Sequence, residues 1–297
     1  MIKYVIIIFI LLFNCIYSDK DEQSTPPTPM DLRNFKGSIQ NLNIGSFSSF
    51  ISENDNENNI LYPSQIEDIK LKANEFNPKP ITENDTIILS TSLGNMKFKF
   101  YNKSSPKSSL NFKKLANSHF YDKTLFHYVI SKFIIQGGDI LSRNQDPEDD
   151  GHGGPGWTIE AEYNDLVHKR GTLSMVRAST DPNSAGSQFF ISLNENKTLD
   201  DKYTIFGYLI NGDHILSRIS AIDTEHSQAK LLCKLKIPEN TNVIEWVEVF
   251  DPQSKQMIYS KIPDNQDKES YKNIMQTRLN NYYRPGIPIV IDSIRVK

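Results

Sequence analysis

Cysteine is nearly missing from this chain: Cys15 and Cys233 are the only two in 297 residues. Cys15 sits in an N-terminal apolar run, so a chain that loses that run keeps one thiol and can form no internal disulfide. An excess of charge of one sign is missing too. The 33 basic and 36 acidic residues leave a net −3 and are well interspersed, so no basic face argues for nucleic acid. Long apolar runs are absent after Phe13, and the stretch from Tyr4 to Phe13 is short for a bilayer span.

The usual catalytic constellations are missing as well. There is no Gly-x-Ser-x-Gly elbow, and nothing around Cys233 marks it as a nucleophile. The glycine-rich "DDGHGGPGW" lacks the Gly-Lys-Ser/Thr ending that grips phosphate. "DPEDDG", from Asp146, imitates the first half of a calcium loop, but Trp157 stands where a bidentate Glu belongs, so the segment reads as a solvated acidic loop. His127, His152 and His168 lack zinc-ligand spacing. No metal and no cofactor are expected.

What is there begins with "MIKYVIIIFILLFNCIYS", which reads as an export signal over residues 1–18. Two processing routes stay open. Cleavage after Ser18 would release a soluble protein; alternatively "LLFNC" resembles a relaxed lipobox, with Cys15 lipidated and the chain tethered to a membrane, although Asn14 is unusual there. Sequons at Asn84, Asn102 and Asn196 matter only where secreted proteins are glycosylated. Residues 19–80, with "STPPTP" and "SENDNENN", read as a flexible polar tether holding a short helix around Ser64 to Asn74.

From residue 81 a folded domain is expected. "TIILSTSLGNMKFKFY" alternates on both sides of Leu-Gly-Asn, a hairpin signal. "SPKSSLNFKKLANSHF" places Leu110, Phe112, Leu115 and Ala116 at helical spacing after a Ser-Pro start. Strands follow at "TLFHYVI", "FIIQGG", "GTLSMVRA", "SQFFISL" and "YTIFGYLI", then a helix at "DHILSRISAI". Many short strands with two helices point to a mostly β fold, a closed barrel capped by helices. Further on, "KESYKNIMQTRLNNYY" reads as an amphipathic helix packing through Tyr271, Ile274 and Leu279, and "IPIVIDSIRVK" as a strand. One residue breaks its pattern: in "FHYVISKFIIQGGD", Gln136 stands where a buried strand should still be apolar, just before two glycines.

"FHYVISKFIIQGGD", "HGGPGW", "HKRGTLSMVRA", "DPNSAGSQFFISL" and "LDDKYTIFG" together resemble a cyclophilin, in the order and spacing of the shorter, bacterial-like members. The likeness covers residues from about 85 to 222. It implies a closed eight-stranded antiparallel barrel capped by two helices, with an insertion over about 223–284 before a final strand over about 287–297. It also implies peptidyl-prolyl cis–trans isomerase activity on proline-containing polypeptides by a monomer.

By the resemblance, Phe133 and Phe190 floor a proline pocket, with Ile134 where the family usually has Met and Leu199 on one wall. Gln136 would hydrogen-bond the substrate backbone with Gln188 nearby, and the backbone of Val176, Arg177 and Ala178 would line the groove. Three positions depart from the family. Thr198 stands at the Trp position and Tyr203 at the His position, which implies weak cyclosporin binding. Tyr128 replaces the arginine whose guanidinium is the donor to the prolyl nitrogen, so Tyr128, Phe133 and Gln136 form an altered catalytic set. The expectation is an exported isomerase of reduced activity; the alternative is a non-catalytic proline-binding, chaperone-like or interaction module.

Overall fold

The computed structural model describes residues 60–297 apart from Gln145 and Asn265. The export signal, the Cys15 alternatives and the tether as far as residue 59 lie outside the described residues.

The tether reading fails over its last part. Helix α1 (Pro63–Glu75) begins with a proline in its first turn, where a missing N–H costs nothing. Its Ile66 and Ala73, with Leu61 just before it, are buried in the main core. The helix expected around Ser64 to Asn74 is thus present, and three apolar residues in a polar stretch suffice to dock it.

Strands β1 (Ile87–Thr91) and β2 (Gly94–Phe100) form the expected hairpin, with Thr91 paired to Gly94 across a two-residue turn. The Thr91 hydroxyl closes that turn, donating to the Gly94 carbonyl at 2.8 Å and accepting from the Leu93 N–H at 3.1 Å. Ile87, Leu89, Met96 and Phe98 all point inward, as period-two alternation requires. Helix α2 (Pro106–Asn117) buries Phe112, Leu115 and Ala116, whereas Leu110, expected on the same face, is 40% exposed.

The remaining strands are β3 (Tyr128–Ile130), β4 (Ile134–Gly137), β5 (Thr172–Met175), β6 (Phe189–Ser192) and β7 (Ile205–Asn211). Helix α3 (Asp213–Ser220) follows, burying Ile215, Leu216 and Ile219. The last strand, β11 (Ile291–Val296), pairs with β1. The result is one eight-stranded antiparallel sheet in the order β11-β1-β2-β7-β5-β6-β4-β3. It curls until its edges meet, but by an isolated Leu125–Val290 bridge and a Phe126 N–H to Ile289 carbonyl bond of 3.0 Å rather than a continuous ladder. Inside, Phe112 meets Phe189 edge-on at 5.4 Å and Phe206 at 5.0 Å. Burial of each such ring contributes about 1.5–3 kcal/mol.

Between α3 and β11 the chain builds a second, smaller cluster. It comprises α4 (Glu225–Leu231), β8 (Cys233–Lys234), β9 (Trp246–Asp251), β10 (Gln256–Lys261) and α5 (Lys268–Asn280), with strand order β8-β10-β9. Its core joins Ala229, Val247, Val249 and Ile258 to Tyr271, Met275 and Leu279 of α5. Ile274, expected in that contact, is 48% exposed; Met275 takes its place, because a four-residue step from Tyr271 follows the helix face more closely than three. The free edge of β9 is covered by Gln276, whose amide accepts from the Phe250 N–H at 3.0 Å and donates to the Phe250 carbonyl at 2.9 Å.

Candidate active site

Strand register answers why Gln136 interrupts an apolar strand. Tyr128 on β3, Gln136 on β4, Phe190 on β6 and Ser174 on β5 lie opposite one another in a single row across four strands. Ile135 and Ile191, one residue along, face the core. Because alternate side chains take opposite faces, the whole row belongs to the outer face of the sheet.

On that face lies an apolar cluster separate from the main core. Ile134, Phe190 and Leu199 are its buried members, and Tyr128, Phe133, Val176 and Tyr203 pack against them half-buried. Phe190 is held from two sides: the His168 imidazole stacks on it at 5.7 Å and 13°, and Tyr203 meets it edge-on at 5.4 Å. His168 is fixed in turn by Asp200, whose carboxylate lies 2.7 Å from Nδ1. Seven of the twelve residues named from sequence therefore fall in one patch.

Gln136 and Gln188 form the polar edge of the patch. Gln136 Nε2 donates to Gln188 Oε1 at 2.9 Å and lies 3.4 Å from His127 Nε2. Burial pushes His127 down to about 4, so its imidazole is neutral at ordinary pH and can accept at Nε2 with its proton on Nδ1. Gln188 Nε2 donates to the carbonyls of Gly151 and Gly153, each at 2.8 Å. Asp139 anchors that glycine segment, accepting from the backbone N–H groups of Leu141, Gly151 and Gly153. With both amide hydrogens of Gln136 turned inward, its carboxamide oxygen is the acceptor left to a substrate N–H.

The glycines that follow Gln136 are required by space. Gly138 has φ +86°, and a Cβ there would sit 2.6 Å from the Ser187 carbonyl oxygen. Of the acidic loop read from sequence as solvated, Asp146 and Glu148 are exposed, but Asp150 is not. The Asp150 carboxylate is only 9% exposed because Arg284 covers it, with Nε 3.5 Å from Asp150 Oδ2 and 3.7 Å from Glu225 Oε1. Burial still raises Asp150 to about 7, against the pull of Arg284. Among the described residues, no group of three or more His, Cys, Asp or Glu converges as a metal site.

The remaining named residues sit at the rim. Arg177 lies over the Tyr203 ring at 5.1 Å, and its guanidinium donates to the carbonyls of Lys202, Ala178 and Ser179. Ala178 and Thr198 are exposed, the Thr198 hydroxyl bonding to Asn196 Oδ1. Tyr128 is largely covered, and burial, with Tyr283 beside it, lifts its phenol well above the usual range. It is a neutral group at any physiological pH.

Known proteins decide what this face belongs to. A model of the family "Cyclophilin type peptidyl-prolyl cis-trans isomerase/CLD" matches residues 86–242. The chain is a member of the cyclophilin family. Among its relatives, a peptidyl-prolyl cis-trans isomerase of Arabidopsis thaliana is 35% identical over 144 residues, 48% of this chain and 84% of that one. One of Synechococcus elongatus is 40% identical over 142 residues, 44% of this chain and 92% of that one. A cyclophilin of Cryptosporidium parvum, solved in the presence of the dipeptide Ala-Pro, aligns at 27% identity with a TM-score of 0.48, covering 71% of this chain and 98% of that one.

Sequence reasoning missed five participants. His127 was weighed only for zinc-ligand spacing, although it stands next to Tyr128. The carbonyls of Gly151 and Gly153 carry no side-chain signal at all. Tyr283 and Arg284 come from the far end of the insertion, outside the residues the cyclophilin model matches.

Proposed function

We propose that this cyclophilin isomerises X–Pro bonds of polypeptides in an exported compartment, at a rate reduced by Tyr128. The observation that carries the reading is the apolar cluster on the outer face of the sheet, bounded by the Gln136–Gln188 pair. The proline ring lies on Phe133, Ile134, Phe190 and Leu199. Gln136 accepts from the substrate backbone, and Val176 to Ala178 run alongside. The groove face is preformed because Phe190 is clamped by His168 and Tyr203.

The reaction needs no covalent intermediate. Amide resonance sets a barrier of about 18–20 kcal/mol, and uncatalysed exchange takes tens to hundreds of seconds. A site that grips the twisted amide better than either planar isomer lowers that barrier. The twisted nitrogen regains a lone pair and calls for a donor. Tyr128 offers one neutral O–H where a guanidinium would offer a charged fork, and a charged hydrogen bond contributes about 1.5–3 kcal/mol. The pocket and Gln136 do not depend on that donor, so binding of proline peptides persists while turnover falls.

Exchange NMR on an Ala-Pro peptide tests the activity. Catalysis above buffer supports it, and a Tyr128→Arg variant gains about ten- to a hundredfold. A rate equal to buffer, with chemical-shift changes on binding, would establish the alternative of a non-catalytic proline-binding module, which Tyr128 favours. Cyclosporin binds weakly, since Thr198 brings no indole donor to the rim. Export rests on the apolar run Tyr4 to Phe13, and mass spectrometry of the mature N-terminus distinguishes cleavage after Ser18 from lipidation at Cys15.

A further inference from the structure

Residues 281–289 lead from the insertion back to the sheet, and they run along the free edge of β3. The Val129 N–H donates to the Tyr283 carbonyl at 2.8 Å, which places the Tyr283 ring against Tyr128 with centroids 4.7 Å apart at 49°. Tyr283 thus extends the outer-face row by one more side chain, giving Tyr283, Tyr128, Gln136 and Phe190 in order across the groove. Its ring is half-buried, so part of it stays open to a ligand.

The position is firmly held. Tyr282 stacks on His226 of α4 at 4.4 Å and 29°. Arg284 reaches both Asp150 and Glu225, and its own carbonyl accepts from the Glu225 N–H at 2.9 Å. Thr224 bridges Pro285, and the Gly286 N–H donates to the Asp223 carbonyl at 2.7 Å. A loose strap would present Tyr283 in many orientations; this one is pinned on both sides.

We propose that Tyr283 is a specificity-determining residue of the isomerase groove, forming with Tyr128 an aromatic wall that selects an aromatic residue next to the substrate proline. The inference rests on the isomerase reading above and deepens it. With the proline ring over Phe190 and the backbone at Gln136, the flanking residue on the far side of Gln136 falls at Tyr128 and Tyr283. Two rings at a tilted angle offer an apolar face and an edge to a third, the geometry aromatic side chains prefer.

The test uses the full chain and two peptide series, one varying the residue before proline and one the residue after it, each with Ala, Leu or Phe. Wild-type protein is expected to favour Phe over Ala about three- to tenfold on one flank, chiefly through KM. Tyr283→Ala removes that preference, while Tyr283→Phe keeps it. Tyr283→Leu, which retains packing on Tyr128, also loses it and serves should the alanine variant fold poorly. An equal preference in wild type and Tyr283→Leu, or none in wild type on either flank, overturns the proposal. Should no peptide be isomerised, the activity reading fails instead, and the same ranking is read from peptide affinities by NMR titration.

Discussion

Replacing Asp150 by asparagine is expected to change how stability depends on pH, in a direction set by its burial. The folded Asp150 titrates at about 7 against an ordinary 3.8, because burial outweighs the attraction of Arg284 while Asp139, Asp149 and Glu225 add repulsion. Between those values the folded state holds a proton that the unfolded chain has released. Stability therefore falls as pH rises from about 4 to about 7, by about 4 kcal/mol in all. His127 works in the opposite sense. Its folded value, about 4 against an ordinary 6.5, means stability is lost as pH falls through that window, by about 3 kcal/mol. In the wild type the two slopes nearly cancel. Asp150→Asn keeps the shape of the protonated acid and leaves Glu225 beside Arg284, so it exposes the His127 slope: the variant gains on wild type by about 4 kcal/mol between pH 4 and pH 8. Urea unfolding at a series of pH values, followed by circular dichroism and by the fluorescence of Trp157 and Trp246, measures the difference. Parallel curves for variant and wild type over that range would falsify the burial argument. His127→Gln should tilt the curve the other way.

Two smaller perturbations check the site and its supports. Gln136→Leu removes the acceptor for the substrate backbone and is expected to lower kcat/KM about tenfold; unchanged turnover in a folded variant would take Gln136 out of the groove. Gly138→Ala meets both a φ of +86° and the Ser187 carbonyl, so its urea midpoint should fall by more than the ~1 kcal/mol of an ordinary glycine replacement, and an unchanged midpoint would contradict the close approach.

Much of the barrel was legible because it is written locally. Period-two alternation marks β1 and β2, and the same alternation puts Tyr128, Gln136 and Phe190 on one face once register is known. The likeness to cyclophilins named the expected groove residues by motif, and seven of the twelve lie in one apolar patch. Failures came where a contact had no local pattern. Ile66 and Ala73 sit in a helix that was expected but assigned to a tether, yet they enter the core. Asp150 looked like a surface acid because its neighbours in sequence are acids; the arginine that covers it lies in another part of the chain.

By itself, then, the sequence determined the strand pattern and, through its likeness to cyclophilins, which residues to expect in a groove, Tyr128 among them, since each depends on residue type and near-neighbour spacing. The tertiary structure alone decided that Gln136 is aimed by Gln188 and His127, that Asp150 is buried under Arg284, and that Tyr283 stands against Tyr128. The reason is chain separation. Tyr128 and Tyr283 meet because the curled sheet leaves the edge of β3 open and the insertion returns along it, pairing its backbone with Val129. Such a meeting is fixed by how the edges of a sheet close, and nothing in the spacing of nearby residues encodes it.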